Sequence, residues 1–150
     1  MSKCVLVVTS GGGHWVEFRR LAPALNGLDV SFASVRPEYA KQVEGHPYYL
    51  LPDFHRRNLW ALPFAVFTTT NLVLRLRPEV VVSTGAAPGL LALALAKWLV
   101  GSRTIWIDSL ANAETLSGSG KLARVVADVW LTQWGHLARE KGPYFWGAVV

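Results

Sequence analysis

Val5-Leu6-Val7-Val8-Thr9-Ser10-Gly11-Gly12-Gly13-His14 is the stretch that decides the fold. Four consecutive apolar side chains, with no polar alternation, require cover on both faces, and a buried parallel strand provides it. Three glycines then allow a tight turn. Beyond them Trp15, Phe18, Leu21 and Leu25 recur at helical spacing, so a helix is expected from His14 to Leu25. A strand-to-helix turn of this kind points backbone N–H groups and a helix N-terminus at whatever lies beyond the strand, which makes Ser10, Gly11, Gly12 and Gly13 candidates for holding an anion. The dinucleotide fingerprint is excluded, because Val16 stands where its third glycine belongs, and no Gly-Lys-Ser/Thr follows to make a nucleotide P-loop. A plain turn that needs glycine for positive φ is the alternative.

Outward from this stretch the same grammar repeats. Strands are expected at Val30–Ser34, Tyr48–Leu51, Val80–Ser83, Thr104–Ile107 and Val129–Thr132. Between them come a short helix opening at Pro37, a long helix from Asn58 to Leu76 with a kink at Pro63, a Gly/Pro loop from Thr84 to Gly89, and a helix to Leu99. A polar loop from Ser109 to Gly120, read as the best candidate for a mobile segment, precedes a helix over Lys121–Ala127, and a short helix closes the chain before Trp146. Alternating strands and helices define an α/β class: a doubly wound, mostly parallel sheet in one Rossmann-like domain over residues 1–150. In such sheets ligands bind at the carboxyl ends of the strands. Ser10 to His14, Ser83 to Pro88, and Asp108-Ser109 all fall there.

Composition narrows the classes. The 150 residues are 51% hydrophobic and 17% charged, which excludes a disordered chain. Mean hydropathy is +0.27, so some apolar surface is expected to face lipid or a partner. No stretch reaches the roughly 20 uninterrupted apolar residues of a membrane span, and no secretory leader is visible. A single cysteine, Cys4, excludes an internal disulfide. The net charge of +5 comes in isolated pairs, Arg19-Arg20, Arg56-Arg57 and Arg75 with Arg77, without the long stripe of a nucleic-acid binder. Anionic headgroups or a diphosphate suit such pairs equally well.

His14, at a helix start facing the crevice, can hydrogen-bond a diphosphate or sugar or take a proton. Glu17, one turn on, orients His14 or caps the helix. Asp108 and Ser109 follow a buried strand, where Asp holds an acceptor hydroxyl, acts as base, or caps a helix. Thr84 and Gly85 belong to the intervening loop. His46, His55 and His136 read as loop or surface residues, and no cluster has zinc-ligand spacing, so no metal is expected. Trp60, Phe64 and Phe67 lie in a strongly apolar helix flanked by Arg56 and Arg57, which either rests in a bilayer interface or covers the sheet. Gln133-Trp134 after the last strand is either a contact surface or core. The helix carrying Trp98 reads as core.

Ser10-Gly-Gly-Gly-His-Trp-Val-Glu17, Ser83-Thr84-Gly85, Asp108-Ser109, Thr115-Leu116-Ser117, Gly120-Lys121-Leu122, Asp128 and Gln133-Trp134 together resemble the membrane-recruiting subunit of the dolichol-pathway N-acetylglucosaminyltransferase. Without an anchor before the first strand, the chain is most similar to bacterial PssD-type exopolysaccharide subunits. The resemblance implies the N-terminal, acceptor-binding half of a GT-B glycosyltransferase such as MurG. It further implies a separate subunit carrying the UDP-sugar, and no cofactor on this chain. The expected acceptor is a polyprenyl-diphosphate-linked saccharide at the cytoplasmic face of the cell membrane, peripherally bound. His14 is then the first choice for the base, with Glu17 or Asp108 behind it. A non-catalytic scaffold that stabilises the transferase subunit is the alternative. Asp108 stands where the family often has Glu, and Asn112 lies near where it often has a basic residue, so Arg103 or Lys121 is expected to supply any phosphate contact there.

Overall fold

The apolar run becomes strand β1 (Cys4–Thr9), and it is covered on both faces because it lies inside the sheet. The computed structural model describes residues 3–149. Their elements follow as α1 (Gly13–Leu21), β2 (Asp29–Ser34), β3 (Tyr48–Leu50), α2 (Leu62–Leu76), β4 (Val80–Gly85), α3 (Ala87–Val100), β5 (Arg103–Ile107), α4 (Gly118–Val126), β6 (Val129–Thr132) and β7 (Tyr144–Phe145). All seven strands are parallel, in the order β3-β2-β1-β4-β5-β6-β7. The order reverses direction between β1 and β4, and this switch point opens a crevice at the carboxyl ends.

The pleat sorts the two faces. Leu6, Val8, Val81 and Trp106 pack with Leu72 and Val73 of α2, Ala92 and Leu93 of α3, and Ala123 of α4. Val5, Val7 and Val82 face the other way, against Trp15 and Phe18 of α1. A third, small cluster joins Phe54, in the loop after β3, to Ala61, Ala65 and Leu91. At the start of β1, burial, with Asp29 and Glu79 nearby, pushes the Cys4 thiol up.

Several expected boundaries move, each for a local reason. The first helix stops at Leu21, since Pro23 opens a 3-10 turn over Ala22–Leu25. Pro63 begins α2 after a 3-10 turn at Leu59–Ala61 and kinks nothing, because a proline's missing N–H is harmless in a first turn. The loop expected at Thr84–Gly89 is not a loop: β4 runs through Thr84 and Gly85, and Pro88 and Gly89 sit in the first turn of α3. The closing segment contains a strand, β7, that the sequence pattern does not announce. The helix carrying Trp98 is core, as expected, through Ala92, Leu93 and Ala96, while Trp98 itself is 65% exposed near its end.

The segment Leu59–Leu76 spans 18 residues with mean hydropathy 1.3, which by length and composition alone is enough to cross a membrane, where the sequence reading found no such stretch. Only 28% of it is buried. The buried side chains are those of Ala61, which packs on Phe54, and of Ala65, Thr69, Leu72 and Val73, on the side facing α3 and the sheet. Trp60, Phe64 and Phe67 are 82%, 63% and 66% exposed on the outer side.

Candidate functional site

A cleft of ≈ 740 Å³ lies at the carboxyl ends of the strands. Its floor is the glycine-rich turn before α1 and the start of α3, at Ala86 to Pro88. Its walls are the loop after β3 with Arg36, and the loop after β5 with the start of α4. Three helices therefore direct their N-termini toward one space, and each carries about half a positive charge there.

His14 is held by the neighbouring strand. Its Nδ1 lies 2.8 Å from the carbonyl oxygen of Thr84, and the Thr84 hydroxyl donates back to the His14 carbonyl at 2.7 Å. A carbonyl can only accept, so Nδ1 carries the proton in this contact. In the neutral ring Nε2 is then a free lone pair, the form a proton acceptor needs. Gly85 makes the arrangement possible. Its φ is 128°, and a Cβ there would lie 2.5 Å from His14 Cε1. Thr84 and Gly85, expected to hold a ligand, are both buried and instead hold His14.

The glycine turn is partly engaged. Ser10 donates its amide to Gly85 at 3.0 Å, and Gly12 donates its own to the Tyr39 hydroxyl at 2.9 Å. The amides of Gly11, Gly13 and His14 have no protein acceptor among the described residues. Tyr39 stacks on Trp15 with centroids 4.4 Å apart, which braces the turn from behind. The Tyr48 hydroxyl donates to the Arg36 carbonyl, and burial pushes that phenol up, so it stays a donor.

Two candidate bases turn out to be structural ties. Glu17 makes no hydrogen bond to His14: its Oε1 accepts from Ser109 Oγ at 3.1 Å and from the Leu110 amide at 2.6 Å, fastening α1 to the loop after β5. Its Oε2 is buried without a partner among the described residues. Asp108 is 1% exposed and saturated. Its Oδ1 accepts from Trp106 Nε1 (3.2 Å) and Ser117 Oγ (2.7 Å), and its Oδ2 from Asn112 Nδ2 (3.2 Å) and the Ser117 amide (3.1 Å). Such a carboxylate shapes the loop and has no lone pair left for a substrate proton. The loop expected to be mobile is thus pinned, and His136 and Trp134 also donate to its carbonyls at Ala113 and Leu110.

Gln133, expected at a contact surface, is 4% exposed, donating to the Asp108 carbonyl and accepting from the Val149 amide. Arg103 begins β5, at the opposite end of the sheet from the cleft, and Lys121 does not line it. The cations present are Arg36 and Arg56, beside His55. Arg56 and Arg57 were both expected at a membrane or partner surface; Arg57 stays exposed outside the lining, while Arg56 is in the cleft. No sequence pattern marks Arg36, since its place depends on the β2–β3 crossover folding over the turn. Among the described residues no group of His, Cys, Asp or Glu is placed to hold a metal ion.

A parallel sheet in this order, with a cleft at the carboxyl ends of its strands, is a Rossmann-like fold of the kind that makes up one half of a GT-B structure. The fold is similar to that of MurG from Acinetobacter baumannii (TM-score 0.71, 20% identity), covering 97% of this chain and 44% of that one. It is also similar to a UDP-GlcNAc 2-epimerase from Neisseria meningitidis bound to UDP-GlcNAc (TM-score 0.61, 16% identity), covering 87% and 40%. The chain thus spans less than half the length of these structures. The chain belongs to the family described as oligosaccharide biosynthesis protein Alg14 like, whose pattern matches residues 57–149. It is 29% identical over 175 residues to the mouse protein named UDP-N-acetylglucosamine transferase subunit ALG14, covering 93% of this chain and 78% of the relative. The human protein of that name is 25% identical, with 95% and 80% covered. The Candida glabrata one is 40% identical over 58 residues, 34% of this chain and 24% of its own length.

Proposed function

We propose that this chain is the acceptor-binding subunit of a two-component, inverting glycosyltransferase. The observation that carries the reading is His14, with Nδ1 committed to Thr84 and Nε2 free, at the mouth of a cleft where three helix N-termini meet. The acceptor's diphosphate sits against the free amides of Gly11, Gly13 and His14. A hydroxyl of the acceptor saccharide attacks the anomeric carbon of a UDP-sugar, Nε2 of His14 takes its proton, and UDP leaves with the bonding electrons. The donor is carried by a separate subunit, a reading supported by the word "subunit" in the relatives' names.

The acceptor is a polyprenyl-diphosphate-linked saccharide of an exopolysaccharide or oligosaccharide route. The exposed Trp60, Phe64 and Phe67 rest in the lipid interface at the cytoplasmic face, with Arg57 reaching headgroups. The helix lies on the bilayer, because crossing it would strip Ala65, Leu72 and Val73 from the sheet and α3.

The test is reconstitution with the partner subunit and a lipid-linked acceptor. His14→Ala lowers transfer by at least about 100-fold, the lower end for lost general-base catalysis, while the partner still co-purifies. Wild-type transfer by that variant would leave the chain as a scaffold that only recruits its partner.

A further inference from the structure

Both cleft arginines stand at the wrong end of a helix. The Arg36 side chain passes over Gly11, where a Cβ would lie 3.2 Å from its Nε, beside the start of α1. The Arg56 guanidinium lies over Gly118, where a Cβ would lie 3.0 Å from it, in the first turn of α4. A cation is disfavoured at a helix N-terminus. Neither guanidinium has a hydrogen-bond or ion-pair partner among the described residues, and the cleft lining offers one carboxylate, Asp53, against the two. His55 adds a donor: its Nδ1 accepts from the Arg57 amide at 3.1 Å, so the neutral ring keeps its proton on Nε2. Unfavourable placements of this kind become favourable once an anion lies between the guanidinium and the helix.

Building on the reading of the cleft as a diphosphate site, we propose that Arg56, whose guanidinium lies against the start of α4, and the neighbouring His55 form a second oxyanion subsite separate from the glycine turn, which Arg36 serves. The ligand is accordingly doubly anionic. Its second oxyanion is either the other phosphate of the diphosphate or a carboxylate on the acceptor sugar, and a guanidinium fork takes both.

Calorimetric titration of the full chain separates these cases, with inorganic pyrophosphate, orthophosphate, glucuronic acid 1-phosphate and glucose 1-phosphate as probes. Arg56→Gln is expected to weaken pyrophosphate by about tenfold or more, the scale of one charge-assisted contact, and to leave orthophosphate unchanged. Arg36→Gln weakens both. If Arg56→Gln spares pyrophosphate but brings glucuronic acid 1-phosphate down to the level of glucose 1-phosphate, the subsite stands and its anion is the carboxylate. Arg124→Gln, in the last turn of α4, controls for net charge and changes nothing. Pyrophosphate binding by the wild type with no loss of any probe in Arg56→Gln overturns the subsite alone. Failure of the wild type to bind pyrophosphate or orthophosphate overturns the diphosphate reading beneath it, and the subsite with it.

Discussion

Gly85→Ala tests the site at the point where one methyl group does the most. The new Cβ would sit 2.5 Å from His14 Cε1, 2.6 Å from Nδ1 and 3.2 Å from Cγ, against ordinary contacts of about 3.5–4.0 Å. The ring must therefore retreat by about 1 Å, and a 2.8 Å bond to the Thr84 carbonyl does not survive that. A φ of 128° adds strain of about 1–3 kcal/mol, which a domain stable by about 5–15 kcal/mol tolerates. The variant thus folds but presents a misplaced His14, the proposed base. Transfer by the reconstituted complex is expected to fall about 10²- to 10⁴-fold, the range for general-base catalysis. The double variant with His14→Ala should be no worse than His14→Ala alone, because both changes remove one function. Circular dichroism and thermal unfolding establish the fold. A folded Gly85→Ala with wild-type transfer refutes the reasoning, as does a double variant whose losses multiply.

Three more perturbations separate structural from chemical roles. Asp108→Asn keeps the shape but turns two acceptor positions into donors facing the Ser117 amide or hydroxyl, so urea denaturation should show a loss of about 2–4 kcal/mol; unchanged stability with selective loss of transfer would return Asp108 to the chemistry. Burial raises the Asp128 pKa, but hydrogen bonds from Lys97 and Thr104 outweigh it and hold the carboxyl below its ordinary 3.8. A depressed carboxylate contributes stability that is fully present above its unfolded value and is lost as pH falls through its lower folded value, so the wild type's advantage over Asp128→Asn in thermal melts should be constant near neutral pH and shrink only as pH falls below 3.8, and an advantage that grew with acid would contradict this. Replacing Phe64 and Phe67 with Asp should weaken co-sedimentation with anionic vesicles by at least about tenfold, since each buried aromatic is worth about 1.5–3 kcal/mol; undiminished binding would move the docking face elsewhere.

The β1–α1 unit was legible because its signals are local: an apolar run, three glycines, and aromatics at helical spacing. His14 was legible for the same reason. What was not legible depends on residues distant in sequence. Thr84 meets His14 across 70 residues, and no spacing rule announces that contact. Ala86-Ala87-Pro88-Gly89 reads as a loop because Pro and Gly break helices in general, yet both are tolerated in the first turn. Asp108 reads as a candidate base at a strand end. Only the three-dimensional return of Ser117 and Asn112 shows that its oxygens are taken. Tyr144–Phe145 is too short and too exposed for any pattern to mark as a strand.

The strand order also governs how the chain comes into being. β1 is synthesised well before β4 and lies between β2 and β4, so Val5 must wait for Val80 before its second edge is paired. At about 5–20 residues per second, a ribosome leaves that edge open for several seconds after β1 emerges, with Leu6 and Val8 uncovered until α2 and α3 arrive. Pairing over such separations is also slow in its own right, because loop closure must precede the contacts that reward it. Fragments ending before β4 should therefore aggregate or recruit chaperones. Heterologous yield should depend more on slowed translation and lowered temperature than on any surface substitution.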